Sequence, residues 1–106
     1  MELILWRHAE AEDGYPDSAR NLTAKGIDQA RRMAEWLRSE LSGDALMIVS
    51  PTQRTQQTAM ALKKDFVTKD EIRPGASVKN VLDIADWPRA SGIVIVVGHQ
   101  PTLGEV

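Results

Sequence analysis

Two histidines and two arginines are placed where they could act together on an anion. His8 follows Arg7 at the end of the apolar run MELILW, and His99 comes soon after the run IVIVV. Arg54 follows a third apolar run, ALMIV, at residues 45–49. A neutral imidazole is a nucleophile near neutral pH, and a guanidinium offers paired donors to phosphate oxygens. These residue types predict a site for an anionic substrate, which we expect to be phosphorylated.

The three apolar runs are typical of buried strands in a parallel sheet, since they are short and rich in Ile, Val and Leu. In open α/β sheets, ligands bind outside the carboxyl ends of the strands. The side chains that follow the runs should therefore meet at one edge of one sheet. One imidazole would attack phosphorus there, and the other, when protonated, would stabilise charge on the phosphoryl oxygens.

The order of elements predicts an α/β domain with a mostly parallel sheet, formed by residues 1–106 as one unit. The predicted strands are 2–6, 45–49, a weak one at 71–73, and 93–97. The predicted helices are 23 or 24 to 41, 50 to about 64, and 78–86. In the first helix, Thr23 is the expected N-cap and the apolar stripe comprises Ile27, Ala30, Ala34, Leu37 and Leu41.

The composition excludes several classes of protein. The net charge is −2 over 106 residues, so nothing indicates nucleic acid or an anionic membrane as a partner. There is no cysteine, which excludes disulfides and cysteine-ligated zinc. No apolar run is long enough to span a bilayer or to serve as a signal-peptide core. The expected location is the cytoplasm.

Five motifs in a fixed order resemble the histidine phosphatase superfamily, and most closely its SixA-type phosphohistidine phosphatases. They are Arg7-His8, Leu22-Thr23-x-x-Gly26-x-x-Gln29-Ala30, Ser50-Pro51-x-x-Arg54, Gln57-Thr58-Ala59 and Gly98-His99. The resemblance implies a three-layer, phosphoglycerate mutase-like sandwich with a mostly parallel central sheet and helices on both faces.

The resemblance also implies roles for matching residues. His8 would be the nucleophile that becomes phosphohistidine, and Arg7, Arg54 and His99 would complete the phosphate pocket. The reaction would be two in-line displacements that need no metal and no other cofactor. Ser50 and Thr23 match family positions, but no chemistry is assigned to them.

One departure from the family pattern concerns the general acid. Phosphomonoester-cleaving relatives carry a carboxylate shortly after the third strand, whereas residues 72–77 (IRPGAS) contain none. An alkoxide leaving group needs a proton, and an imidazole released from a P–N bond is a far better leaving group. The missing acid therefore favours a phosphohistidine protein over a small phosphate ester as substrate. Glu10, Glu12 and Asp13 are alternative acids, although such a loop is more often simply solvated.

A second departure is the C-terminus, because family members continue with a helix and usually more strand. Here the sequence stops at Val106, just past His99. We therefore expect a domain that is incomplete at its C-terminus. Strand 93–97 would keep an uncovered face or edge, which favours a homodimer through this region.

Other functions remain open from the sequence. The chain could bind phosphate or phosphohistidine without turnover, or be a general phosphomonoesterase. A metal site built from His8, His99 and the acidic loop is disfavoured, because Arg7 and Arg54 would repel a cation. A mutase would need an acid and insertions that this chain lacks.

Overall fold

A computed structural model describes all 106 residues, which form an α/β fold. The strands are β1 (Glu2–Arg7), β2 (Ala45–Val49), β3 (Val67–Thr68) and β4 (Ile93–Gly98); the helices are α1 (Ala24–Glu40), α2 (Gln53–Met60), α3 (Val78–Ile84) and α4 (Thr102–Glu105). Two 3₁₀ turns lie at Asp17–Ala19 and Asp70–Ile72. No helix is both long and apolar enough to cross a bilayer.

All strand pairs are parallel, in the order β1-β4-β2-β3. The central strand β4 aligns Val97 with Trp6 of β1 on one side and with Val49 of β2 on the other. The three long strands therefore end at the same edge. Whatever follows each strand is delivered to one place, which is the arrangement that the apolar runs predicted.

Helices cover both faces of the sheet, as expected for a three-layer sandwich. One core cluster joins the sheet to α1 and α2, through Trp6, Ala34, Leu37, Met47, Val49, Ala59, Leu62, Ile95 and Val97. The other joins it to α3, α4 and the turn at Asp70–Ile72, through Ile48, Ile72, Val81, Ala85, Val94, Val96 and Leu103. Burial on both faces explains why the strand sequences are continuously apolar rather than alternating.

Helix α1 begins where the sequence predicted, but its buried stripe is shifted. The Thr23 side chain caps the helix by accepting a hydrogen bond from the Gly26 N–H at 2.9 Å. The expected position of Ile27 in the stripe is wrong, because this side chain is 59% exposed. Gly26 is buried in its place, since the chain after β1 packs directly against the helix there.

The predicted strand at 71–73 is wrong, and the predicted second helix is too long. Residues Asp70–Ile72 form a 3₁₀ turn that brings Ile72 into the core. The strand β3 comes earlier and pairs only two residues with β2, at Ile48 and Val49. Both β3 residues are exposed, so no apolar run marks them in the sequence. Helix α2 starts after Thr52 and ends at Met60.

The edge strands of the sheet are β1 and β3, and β4 is an inner strand. The expectation that strand 93–97 is uncovered is wrong, because β4 lies between β1 and β2 and residues 94–98 are buried. Beside β1, a groove of about 790 Å³ runs along α1. Its wall includes Met33 and Trp36, which are 44% and 57% exposed.

Candidate active site

The two histidines lie next to each other at the carboxyl edge of the sheet. Their ring centroids are 5.4 Å apart, and the ring planes are tilted by 57°. The backbone N–H of His8 donates to the carbonyl of Gly98 at 3.1 Å, so the β1–β4 ladder itself fixes this spacing. Two residues that are 91 positions apart in the sequence are thus juxtaposed by strand pairing.

A backbone contact sets the tautomer of His8. Its Nδ1 lies 2.7 Å from the carbonyl oxygen of Ala9. Because a carbonyl oxygen can only accept, Nδ1 must carry the hydrogen and donate it. In the neutral ring the lone pair is then on Nε2, which leaves Nε2 as the nucleophilic atom.

Burial and neighbouring arginines keep both rings neutral in the substrate-free protein. Burial is the main cause that lowers the pKa of His8; the hydrogen bond to Ala9 acts against it, and the charges of Arg54 and Arg7 add to it. The pKa of His99 is lowered further, to about 4, by burial and then by the charge of Arg54. The second imidazole is therefore neutral at neutral pH before substrate binds, so it does not act there as a cation.

Arg54 lies in the first turn of α2 and is only 4% exposed. Its Nη1 donates to the backbone carbonyl of Asp17 at 2.9 Å, and its Nη2 donates to the Asp17 carboxylate at 3.0 Å. Its Nε is buried without a partner. The guanidinium is therefore held in orientation by Asp17, while its Nε–H has no partner in the protein.

Asp17 contacts a second arginine, Arg20, as well as Arg54. Arg20 donates from Nε to the Asp17 carboxylate at 3.0 Å and from Nη1 to the carbonyl of Glu12 at 3.1 Å. The hydrogen bond from Arg54 is the largest cause that lowers the pKa of Asp17. The charge of Arg20 also acts on both histidines. The sequence reasoning missed both residues, although an Asp-x-x-Arg spacing in a long loop after β1 was a usable signal.

Arg7 occupies a more open position than the other three predicted site residues. It is exposed and lines the groove beside β1 together with His8. Its charge acts on the pKa of His8. The structure thus brings His8, His99 and Arg54 together and places Arg7 at the rim beside His8.

The segment that follows His8 is held against α1 and α2 by hydrogen bonds to side chains of those helices. The N–H of Ala9 donates to the Thr58 hydroxyl at 3.1 Å. The N–H of Glu10 donates to the Gln29 side-chain oxygen at 3.1 Å, and that of Leu22 to the Gln57 oxygen at 2.8 Å. These residues therefore act on the backbone around the site rather than on a ligand.

Gly26 of α1 allows the same segment to pack closely against the helix. A Cβ at this position would lie 2.0 Å from the carbonyl oxygen of Glu10, which is far inside van der Waals contact. That carbonyl also accepts a hydrogen bond from the Thr23 N–H at 3.0 Å. Only glycine lets the segment after the nucleophile approach α1 this closely.

The carboxylates of this segment have other partners or face solvent. Glu10 accepts a hydrogen bond from the Thr23 hydroxyl at 2.7 Å, and Glu12 and Asp13 are exposed. No three or more histidine and carboxylate side chains are grouped so that they could hold a metal ion.

Comparisons with known proteins point to one family. Residues 3–76 match the family model described as histidine phosphatase superfamily (branch 1). Phosphohistidine phosphatase SixA of Escherichia coli is 30% identical over 98% of this chain and 70% of its own length. A chain from Nakamurella multipartita, provisionally named a SixA phosphohistidine phosphatase, superposes with a TM-score of 0.88 at 33% identity, over 97% of this chain and 61% of that one. A SixA structure with tungstate gives a TM-score of 0.83 at 28% identity, over 99% of this chain and 73% of that one. The chain thus spans between three fifths and three quarters of the length of these relatives.

Proposed function

This chain belongs to the histidine phosphatase superfamily, and from that premise we propose that it hydrolyses phosphohistidine through a covalent phosphohistidine on His8. The observation that carries the proposal is the state of the His8 ring. Its Nδ1 is engaged by the Ala9 carbonyl at 2.7 Å, which leaves a lone pair on Nε2. Its lowered pKa keeps that lone pair available at neutral pH.

In the first step, His8 Nε2 attacks the phosphorus atom. An N–P bond forms on His8, whose Nδ1 keeps its hydrogen. The bond from phosphorus to the leaving nitrogen breaks with its electron pair on that nitrogen, and the imidazole leaves neutral because the substrate ring already carries a proton on its other nitrogen. In the second step, water attacks phosphorus, the His8 N–P bond breaks, and inorganic phosphate leaves. His8 recovers its neutral state, so the cycle closes without an oxidant or a co-reactant other than water.

The surrounding groups supply donors for the phosphoryl oxygens. Arg54 has a buried, unpartnered Nε, and His99 has a buried, unpartnered Nδ1. Buried polar atoms are rarely left without a partner, so two such atoms at one place indicate a ligand that accepts hydrogen bonds. Arg7, at the rim, adds a fourth group to the phosphate pocket. The related SixA structure contains tungstate, an oxyanion with the shape of phosphate.

The carboxylates near the site favour a P–N substrate over an alkyl phosphate. Asp17 is held ionised by Arg54, because its pKa lies below the usual value for an aspartate. It therefore cannot donate a proton at neutral pH. Glu10 is engaged by Thr23. A leaving group that departs without assistance from a general acid is thus preferred, and imidazole meets that condition. A phosphorylated protein in the cytoplasm is the substrate that we propose.

The two histidines allow a direct test of the covalent step. Incubation with a radiolabelled phosphohistidine peptide, followed by a rapid quench, should label the wild-type chain with an acid-labile, base-stable phosphoryl group. His8→Ala should show neither label nor turnover. The matched variant His99→Gln should turn over more slowly and still become labelled. Label or full turnover in His8→Ala would refute the covalent mechanism. Binding of phosphate by a wild-type chain that never turns over would show a binding module instead.

A further inference from the structure

Ser50 contacts His99 more closely than any other polar side chain does. Its Oγ lies 2.7 Å from His99 Nε2, and the two residues are 0% and 5% exposed. Ser50 follows β2 directly, and its backbone N–H donates to the Val97 carbonyl of β4 at 3.1 Å. The sheet register therefore places this hydroxyl against the ring, and solvent does not compete for the contact.

The hydrogen in this contact can be carried either by His99 Nε2 or by Ser50 Oγ. If His99 carried it on Nε2, the buried Ser50 hydroxyl would have no acceptor for its own hydrogen, because His99 is its one partner. Nδ1 would then present a lone pair to an anion, which is repulsive. If Ser50 donates instead, Nε2 accepts and Nδ1 carries a hydrogen. Only this second arrangement makes the unpartnered Nδ1 a donor.

We infer that Ser50 is a positioning residue: its hydroxyl donates to Nε2 of His99 and so holds the neutral ring in the Nδ1–H tautomer. The use of that Nδ1–H as a donor to a phosphoryl oxygen rests on the proposed function, whereas the tautomer itself does not. The ring lies 5.4 Å from that of His8, centroid to centroid, which is within reach of a phosphoryl group carried by His8.

The charges around His99 agree with a neutral donor. Arg54 from α2, His8 from the end of β1 and Arg20 from the loop disfavour a second proton on the ring, and the Asp17 carboxylate favours one. A ring that stays neutral can donate from Nδ1 only while Nε2 accepts. The Ser50 hydroxyl is the group that can supply the hydrogen for Nε2.

The tautomer can be read by NMR because the chain has only two histidines. Two-bond ¹H–¹⁵N correlation of the imidazole rings distinguishes a nitrogen that bears hydrogen from one that does not, and His8→Gln assigns the remaining ring. In the wild-type chain at neutral pH, His99 should show a bare Nε2 and a protonated Nδ1. An Nε2–H tautomer in the wild type would overturn the inference without any variant being needed.

Two substitutions test the role of the hydroxyl. Ser50→Ala should shift His99 towards the Nε2–H tautomer and lower turnover about tenfold to a hundredfold, less than or equal to the loss of one whole oxyanion donor. Ser50→Thr keeps the hydroxyl and should retain the tautomer. Ser39→Ala, on the exposed face of α1, is the matched serine control and should change neither property. An unchanged tautomer in a folded Ser50→Ala chain would refute the positioning role.

Failure of the proposed function gives a different result. If the wild-type chain shows the Nδ1–H tautomer but no turnover, the catalytic proposal falls and the assignment of Ser50 stands. Titration with inorganic phosphate should then still shift the His99 Nδ1–H resonance in the wild type. In Ser50→Ala that shift should be smaller, and equal shifts in the two chains would overturn the inference.

Discussion

Acidification should destabilise this protein in a way that His99 controls. The pKa of His99 is about 4 in the folded chain, against 6.5 for an unperturbed histidine. Between those values the unfolded chain binds a proton that the folded chain does not. Stability linked to His99 is therefore complete above about pH 6.5, falls as the pH drops towards 4, and changes no further below that value.

The structure sets the size of this effect. The difference between the two pKa values corresponds to about 3 kcal/mol at most. His99 is only 5% exposed, so screening by water is slight. Measurements at about pH 7 and about pH 4.5 do not reach the folded pKa, so the expected change between them is about 2 kcal/mol. That loss is a large fraction of the stability of a domain of this size.

Urea unfolding at about pH 7 and about pH 4.5 measures the loss directly. The variant His99→Gln removes the titrating group, so its loss between the two pH values should be smaller than that of the wild type by about 2 kcal/mol. Comparing each chain with itself cancels the effect of the substitution at neutral pH. It also cancels the titration of carboxylates such as Asp17, which both chains share. Equal losses in the two chains would show that His99 is not held neutral by its surroundings.

Three further predictions concern the anion pocket, the substrate and the open edge. Arg54→Ala should lower kcat/KM on the order of a hundredfold or more, with Arg54→Lys in between; a loss under fivefold, measured on a phosphohistidine peptide, would contradict the pocket. Phosphohistidine and aryl phosphates should react much faster than alkyl phosphates; comparable kcat/KM values for a phosphohistidine peptide and a sugar phosphate would reveal a general acid in the segment 9–17. The exposed edge of β1 and the groove at Trp36 should let the chain form a homodimer, which sedimentation would detect and Trp36→Lys would weaken. A wild-type chain that stays monomeric over the whole concentration range would contradict this last prediction.

The strands with a strong hydrophobic signal were predictable, and the short one was not. β2 has the predicted bounds, and β1 and β4 each extend one residue further. Their hydrophobic signal is strong because residues of these strands pack into both core clusters. β3 was not predicted, because its two exposed residues are held only by pairing with β2 and show no hydrophobic pattern. The helix stripe was misplaced at Ile27 because a tertiary contact, the approach of Glu10 to Gly26, decides which face of α1 turns inward.

Some contacts of the site were likewise predictable from the sequence, and others were not. His8 and His99 were predictable as neighbours because each follows a strand, and parallel strands end at one edge. Ser50 also follows a strand, yet the sequence offered no reason to expect its hydroxyl on a histidine nitrogen. Asp17 contacts Arg54 across 37 positions, through a loop whose path is set by hydrogen bonds to α1 and α2. Such a contact depends on the path of the folded loop, and no local sequence pattern predicts it.

One contact links the order of the pocket to the proposed choice of substrate. Asp17 orients the Arg54 guanidinium before any ligand arrives, so less conformational freedom remains to be lost when phosphate binds. The hydrogen bond from Arg54 to the Asp17 carboxylate also lowers the pKa of that group, which is ionised at neutral pH. The loop carboxylate that contacts the anion-binding arginine is therefore unavailable as a proton donor. In the proposed reaction, a single ion pair therefore has two effects. It orients Arg54 before phosphate binds, and it favours leaving groups that need no proton from the protein.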